Sequence, residues 1–342
     1  MDLDPIAPDL GAAATEAALP ADALPSAAVL EAVTRLPPVE DAWFLTGPTA
    51  SGKSQVAIEL AGQLDAEILS MDSMAVYKDM DIGTAKPTAE QRRAIDHHLI
   101  DLVEPTDDYS LGQYVAAAHR KLAEVRSRGR RVLFVGGTPL YLKALLRGLF
   151  LGPPPDEEFR AAIEDDVRRL GVAPLRERLV AVDPLSAFRI AENDVRRMIR
   201  ALEVARATGV PLSHWQTQFE RPSGVAQHAF ALGWPRECLH RRVERRVEAM
   251  FDAGLLSEVE SLLGKYHQLG RTAMQAVGYK EPIAFLAGQI DRREMAQQVV
   301  FHTRQFVRRQ EMWLRSLSEV RRIEIAAEGD LLTAAERILQ AA

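Results

Sequence analysis

Residues Phe44–Leu60, FLTGPTASGKSQVAIEL, decide the fold. A short apolar run, Trp43–Thr46, enters a loop of Gly, Pro and Ser. Val56, Leu60 and Leu64 then recur every four residues. The pattern predicts strand, loop and amphipathic helix. The loop fits G-x-x-x-x-G-K-[S/T] through Gly47, Gly52, Lys53 and Ser54. Glycines let backbone N–H groups converge on phosphate oxygens, and the helix that opens near Ser54 turns its positive end toward them. Gly47, Pro48, Thr49, Ala50, Ser51, Gly52, Lys53 and Ser54 are therefore the candidate diphosphate cradle. The Lys53 ammonium supplies a point charge, and the Ser54 hydroxyl is the candidate ligand for Mg²⁺.

Working outward, EILSMD (Glu67–Asp72) reads as a second buried strand ending on an acid. Gln113–Arg128 reads as a helix closed by Gly129, and RRVLFVGGT (Arg130–Thr138) as a third strand running into glycines. FALGW (Phe230–Trp234) and VRRIEI (Val320–Ile325) read as later strands, and Leu239–Phe251 and Gln297–Leu317 as helices. Strands alternating with helices predict an α/β fold: a phosphate-loop, doubly wound parallel sheet covered on both faces. LGPPPDEEFR (Leu151–Arg160) contains three consecutive prolines, which break any helix. The text from there to about Gly224 is helical and charged. The expected domains are a core of 41–150 and 228–326 and a helical insertion of 151–227.

A phosphate loop says that a diphosphate is held, not what carries it. ATP and GTP enzymes with such loops commonly place a second acid at the end of a later apolar strand. Here the later strand ends in Gly136-Gly137-Thr138, and the strand-end acid is Asp72. Either Asp72 serves a metal, as in a kinase of a small metabolite, or the chemistry is different.

The chain has 342 residues, 47 % hydrophobic and 26 % charged, with net charge -6. That is the balance of a globular protein with a real core. The absence of an apolar run of about 18 residues speaks against a membrane span. Cys238 is the single cysteine, which excludes a disulfide framework and a zinc site of several thiolates and points to the cytoplasm. The first ~40 residues are rich in Ala and Pro and carry no Arg or Lys before Arg35. They read as a disordered extension with a short helix near Ala27–Val33, without the charge pattern of a secretory or transit segment.

Further along the chain stand SMDSMAVYKDMDIGTAKPT (Ser70–Thr88), HHLID (His97–Asp101), VGGTPLYLKALL (Val135–Leu146) and GYKE (Gly278–Glu281). With GPTASGKS they make the chain similar to the tRNA dimethylallyltransferases of the bacterial type, from about Phe44 to Arg315. MDIGTAKP (Met80–Pro87) is the most specific of these strings. The resemblance implies transfer of the dimethylallyl group of dimethylallyl diphosphate to N6 of the adenosine 3′ of the anticodon of a tRNA, with release of diphosphate, so the cradle need not hold a nucleoside. It implies that Asp72 accepts the N6 proton, that Asp72, Ser73, Met74 and Ala75 meet the target nucleotide, and that Thr138 meets the leaving diphosphate or the base. Ala75 stands where the family often has glutamine. Thr138 also fits the N-cap of a helix with Pro139 at its first position. His97 and His98, without metal-ligand spacing around them, read as structural.

Three arginine clusters are the candidate RNA surface. In Asn193–Gly209, with Asn193 as the expected N-cap, Met198, Ile199, Leu202 and Ala205 form an apolar face, while Arg196 and Arg200 lie one turn apart beside Arg197. His240–Met250 sets Arg242 and Arg246 one turn apart, and Arg304–Arg315 carries Arg308, Arg309 and Trp313. Guanidinium groups meet phosphates, and aromatic planes stack on unpaired bases. The resemblance implies tRNA contacts at Arg160, at Arg196–Arg200 (Arg196, Arg197, Met198, Ile199 and Arg200), at Gln275, Gly278 and Lys280, and at Arg308, Arg309 and Trp313. It also implies that Arg242 or Arg246 reaches the diphosphate; spacing does not choose between them. The target base must swing out of its loop, so a channel between core and insertion is expected. The chain is expected to act as a monomer. The eukaryotic branch of the family carries an added zinc finger, which a chain with one cysteine cannot build. The alternatives are a phosphate-loop kinase of a small metabolite, which would bind ATP, and a prenyltransferase acting on free adenine nucleotides.

Overall fold

The structure, a computed structural model, describes residues 35–219, 222 and 228–342. The expected helix near Ala27–Val33 and most of the N-terminal extension lie outside these residues. The chain divides into a sheet unit, Leu36–Leu149 with Arg221–Ala342, and a helical unit, Phe150–Glu220 with Arg35.

The sheet unit is built on six parallel strands. In chain order they are β1 (Trp43–Thr46), β2 (Ala66–Ser70), β3 (His97–His98), β4 (Arg131–Val135), β5 (His228–Gly233) and β6 (Arg321–Glu324). Their spatial order is β3-β2-β4-β1-β5-β6. The connection from β1 crosses over to β2, and β4 fills the gap between them. In register, Phe44 stands beside Phe134 and Ala229, and Leu45 beside Val135 and Phe230. Such runs are buried on both faces, as the centre of a parallel sheet requires.

On one face lies α1 (Lys53–Leu64), which buries Val56, Ala57, Leu60, Ala61 and Leu64. The opposite face is covered by α2 (Leu111–Ser127) and α3 (Pro139–Arg147). Ser110 caps α2 with a complete capping box, and Gly129 at φ 74 lets the chain turn back into β4. Asp65, at φ 56, ends α1 in the same left-handed way before β2 begins one residue later.

The unit is larger at both ends than the sequence suggests. Val39 is 1 % exposed and its N–H donates to the Leu145 carbonyl at 2.7 Å. Residues 36–40, expected as part of a disordered tail, thus belong to the core, because Val39 between prolines and acids still finds an apolar seat. Beyond β6, Leu331, Ala334, Ala335 and Ile338 return to the same core as the helix Ala334–Ala341. The core expected to close at 326 therefore continues to Ala341.

The helical unit contains α4 (Glu157–Leu170), α5 (Ala173–Val182), α6 (Pro184–Arg189) and α7 (Val195–Thr208). Its core gathers Ile163, Leu175, Leu179, Met198, Ile199, Leu202 and Val204, with Phe150 stacked on Trp215 at 4.9 Å between ring centroids. Asp156 caps α4 after the prolines by accepting from the Phe159 N–H at 3.0 Å. The cap of α7 is Asp194, one residue later than the expected Asn193. Its Oδ1 accepts from the Arg197 N–H at 3.3 Å. A carboxylate at this end also complements the helix dipole, an advantage Asn lacks.

Candidate active site

The phosphate loop joins β1 to α1. Three residues of its bend have positive φ: Gly47 at 144, Ala50 at 67 and Gly52 at 90. A side chain on Gly47 would stand 2.9 Å from the Ser51 hydroxyl and 3.0 Å from the Leu232 carbonyl, so glycine is required there. Helix α1 opens at Lys53 with Gly52 as its N-cap and no side-chain cap, so its first-turn N–H groups face the loop without intrahelical acceptors. The Ser51 hydroxyl is fully buried and has no partner among the described residues. Trp234 holds the loop from below, its Nε1 donating to the Ser51 carbonyl at 2.9 Å.

A hollow of about 420 Å³ lies on this loop, lined by Ala50–Gln55 together with Arg242, Arg245, Arg246 and Glu328. The two candidate arginines come from α8 (Arg236–Asp252) and behave differently. Arg242 donates Nε to the Ala50 carbonyl at 2.6 Å, lies over the Trp234 ring at 4.5 Å, and pairs with Glu328. Arg245 meets the same carboxylate at 2.6 Å. Arg246 forms no ion pair among the described residues. Burial lowers its pKa, and the charge of Asp72 opposes that shift.

Lys53 donates Nζ to the Pro48 carbonyl at 2.8 Å. Burial first, and then the charge of Arg246, push its pKa down from 10.5 to about 7; Asp72 acts the other way. Two cations held close without a strong counter-charge make a site that wants an anion.

Asp72 lies two residues past the end of β2. Its Oδ1 accepts from the N–H groups of Met74 at 2.8 Å and Ala75 at 3.3 Å. Its Oδ2 has no hydrogen bond among the described residues. The carboxylate therefore caps its own turn with one oxygen and offers the other. Thr138 is the positional N-cap of α3, with Pro139 following, yet its side chain does not cap the helix. Thr138 Oγ1 accepts from the Ser73 N–H at 3.0 Å, which ties the end of β4 to the Asp72 turn. Gly136 is obligatory at this junction, because a Cβ would stand 1.9 Å from the Met71 carbonyl oxygen. That close approach explains the glycine pair where many phosphate-loop enzymes place an acid.

Two residues of this site carry no sequence motif of their own. Gln310, 2 % exposed, comes from α11 (Arg292–Arg315) and bridges Thr49 to Gly137. Its signal is spacing. The buried positions of α11 run Met295, Val299, Thr303, Val307 and Gln310, and an amide stands where that face calls for an apolar residue. Glu258, from α9 (Leu255–Tyr266), accepts from the N–H groups of Asp81 at 3.0 Å, Ile82 at 2.7 Å and Gly83 at 3.3 Å, and from the Tyr279 hydroxyl at 2.6 Å. Lys86 binds the Tyr77 carbonyl at 2.6 Å, Asp81 at 2.7 Å and Asp101 at 2.5 Å. The string MDIGTAKP thus fastens the segment that follows Asp72, and Gly83 leaves room for the Tyr279 ring.

The candidate RNA contacts divide. Arg196, Arg197, Gln275, Lys280, Arg308, Arg309 and Trp313 are exposed. Met198 and Ile199 are buried in the core of the helical unit, so the expected side-chain contacts from them are corrected: their spacing puts them on the apolar face of α7. Gly278 is buried as well, its N–H donating at 2.8 Å to Glu281 of α10 (Lys280–Leu286). Ala75 is 5 % exposed, with its N–H given to Asp72 and its carbonyl to the Asp101 N–H. Met74 packs beside Val76 and Tyr77. Arg160 and Arg200 both turn onto Glu203, which is 2 % exposed, at 2.8 and 2.5 Å, and Arg200 also reaches the carbonyls of Leu151 and Pro153. Burial alone would raise the Glu203 pKa, but the hydrogen bonds from Arg160, Arg200 and the Asp156 N–H hold it below the usual carboxylate range. His98 pairs with Glu67 at 2.6 Å, and His97 Nδ1 stands 2.7 Å from the Ile95 carbonyl, both structural. A second hollow of about 640 Å³ lies along α11, with Arg236, Arg304, Arg308 and Arg315 on its wall.

Comparison with known proteins now fixes the family. A model of the IPP transferase family matches residues 75–317, and one of the isopentenyl transferase family matches residues 40–103. The chain belongs to the IPP transferase family. Among the relatives of this IPP transferase, the tRNA dimethylallyltransferase of Rhodopirellula baltica is 51 % identical over 294 residues, covering 83 % of this chain and 88 % of that protein. That of Geobacter metallireducens is 42 % identical over 289 residues, covering 84 % and 93 %. The crystal structure of the full-length tRNA isopentenylpyrophosphate transferase of Bacillus halodurans superposes with a TM-score of 0.65 at 32 % identity, over 88 % of this chain and 96 % of that one. A eukaryotic dimethylallyltransferase crystallised acting on tRNA shares the fold, with a TM-score of 0.75 at 24 % identity, over 89 % and 78 %. The phosphate-loop α/β fold read from GPTASGKS is the fold of this family. Among the described residues no helix is long and apolar enough to cross a membrane.

Proposed function

We propose that this IPP transferase is a tRNA dimethylallyltransferase, moving the dimethylallyl group of dimethylallyl diphosphate onto N6 of the adenosine 3′ of the anticodon. The observation that carries this reading is the shared field of Lys53, Arg246 and Asp72: two cations with no matching pair beside a carboxylate that keeps one oxygen free. The cations suit a departing diphosphate, and the carboxylate suits the proton of an incoming amine.

In the proposed reaction the allylic C–O bond breaks as the N6–C bond forms. Lys53, the first-turn N–H groups of α1 and Arg246 take the charge that gathers on the diphosphate. Arg246 is favoured over Arg242 for this task, because Glu328 already neutralises Arg242. Asp72 Oδ2 receives the N6 proton, while Oδ1 stays fixed by the turn it caps. Thr138 keeps that turn in place through Ser73. Arg196, Arg197, Gln275, Lys280, Arg308, Arg309 and Trp313 are the proposed tRNA surface, and Arg160 and Arg200 support it through Glu203.

No cluster of three His, Cys, Asp or Glu groups suited to a metal exists among the described residues. Mg²⁺ on a phosphate loop needs less, since it takes a hydroxyl, phosphate oxygens and water. The exposed Ser54 hydroxyl fits that donor set, and the ion would add positive charge for the leaving group. The proposed enzyme acts as a monomer in the cytoplasm.

The test combines the protein with Mg²⁺, unmodified tRNA and either labelled dimethylallyl diphosphate or labelled ATP. Prenyl label on the tRNA is the expected result. Label passing from ATP to a small metabolite, or prenyl label on free adenine nucleotides alone, overturns the reading in favour of the corresponding alternative.

A further inference from the structure

The phosphate loop follows β1, the acceptor side of the site follows β2 and β4, and a buried side chain from α11 links the loop to the end of β4. Gln310 Oε1 accepts from the Thr49 N–H at 2.8 Å, and Gln310 Nε2 donates to the Gly137 carbonyl at 2.6 Å. The orientation of the amide follows from its partners, because a backbone N–H can only donate and a carbonyl can only accept. Gly137 has no room for a side chain; a Cβ would stand 2.6 Å from that same Nε2 and 3.3 Å from the Gly47 carbonyl. Thr138 follows directly and holds Ser73 beside Asp72. A chain of contacts thus runs from the diphosphate cradle through Thr49, Gln310, Gly137, Thr138 and Ser73 to the proposed base. The strands beneath are also tied, Thr46 Oγ1 donating to the Gly136 carbonyl at 2.9 Å, but Gln310 is the side chain that reaches the loop residue Thr49 itself.

We propose that Gln310 is a positioning residue that fixes the distance between the departing diphosphate and the acceptor amine. The inference rests on the prenyl-transfer reading. An allylic carbon losing diphosphate is captured by whatever nucleophile stands closest, and small displacements of one partner cost much rate. With the bridge intact, N6 occupies that place. With the bridge cut, the loop and the Asp72 turn shift independently, and water competes: the C–O bond breaks, water oxygen bonds to the allylic carbon, and its proton passes to solvent, giving dimethylallyl alcohol and diphosphate.

The experiment measures transfer to tRNA and formation of dimethylallyl alcohol in the same reactions, for wild type, Gln310→Met and Gln310→Glu. Wild type must transfer the label, which tests the activity separately from the bridge. In Gln310→Met the ratio of alcohol to transfer product is expected to rise about tenfold or more. Gln310→Glu keeps the acceptor for Thr49 and loses the donor for Gly137 when ionised. Its ratio, referred to wild type at the same pH, is expected to fall as pH falls, because the protonated carboxyl donates again; that of Gln310→Met stays level. A residue that only stabilises the fold lowers both products together. An unchanged ratio in both variants, or in Gln310→Glu alone if Gln310→Met does not fold by circular dichroism, overturns the inference.

Discussion

Two arginine-rich regions look alike in sequence and differ in state. In the helical unit, Arg160 and Arg200 converge on the buried Glu203, and their charge is spent inside the protein. In the sheet unit, Arg246 and Lys53 line one hollow without an ion pair among the described residues, and both have depressed pKa values. The first arrangement is complete by itself. The second leaves its positive charge without a partner among the described residues. A run of arginines therefore says little about binding until the nearest buried acid is known.

The largest effect that can break this comparison is at Asp72. Asp72→Asn keeps the acceptor for the Met74 and Ala75 N–H groups but removes the base. Turnover is expected to fall roughly 10²- to 10⁴-fold while tRNA affinity stays within about twofold. Initial rates beside filter-binding measurements decide it, and a matching loss of affinity would remove Asp72 from its role as base.

Next comes the closed region. Glu203→Gln takes the acid from between two guanidinium groups, and the loss of stability is expected to be about 2–4 kcal/mol by denaturant unfolding. Since the Glu203 pKa is lowered in the folded state, its contribution is present above the ordinary carboxylate pKa and is lost as pH falls through the folded value. A variant as stable as wild type would mean that Glu203 does not hold the two arginines.

The open region predicts a pH dependence of the same sign in a higher window. Lys53 has a folded pKa of about 7 against 10.5 unfolded. Between those values the unfolded chain binds more protons, so stability without ligand is expected to rise with pH across the window. Diphosphate binds the protonated form better, so its affinity is expected to fall as pH rises above 7, by at most about tenfold per unit, with proton uptake on binding. Calorimetry in buffers of different ionisation enthalpy measures that uptake, which Lys53→Met should abolish. Binding of diphosphate without proton uptake at pH 8 would show that the ammonium is already charged there.

The smallest effect belongs to the exposed arginines. Replacing Arg196 and Arg197 together with alanine is expected to weaken tRNA binding and to flatten the plot of log affinity against log salt by about one to two units. The same slope in the variant would place both outside the RNA path. Arg200→Ala sharpens the contrast, for its main expected effect is on stability, through Glu203.

What could be read in advance follows from how local each feature is. Strand, loop and helix around Lys53 are encoded in seventeen consecutive residues, and alternation of strands with helices then leaves little choice of sheet. The strand-end position of Asp72 and the N-cap position of Thr138 are equally local. The buried faces of α7 and α11 are periodic, and Met198 and Ile199 could have been assigned to the core on that ground alone. Partners far apart in sequence are a different matter. Glu258 serves a loop that begins 177 residues earlier, and Gln310 a loop 261 residues earlier. Spacing cannot pair such residues, because hydrogen bonds over that separation depend on where the sheet brings its loops together.

The amino-acid order by itself determined the phosphate cradle, the parallel sheet and the acid at the end of its second strand, since each depends on neighbours within a turn or a strand. Only the tertiary structure decided that Arg242 is neutralised by Glu328 while Arg246 is not, that Thr138 holds Ser73 rather than its own helix, and that Gln310 links the two sides of the site. Charge and hydrogen-bond capacity are properties of a residue, but whether they are already used is a property of the space around it.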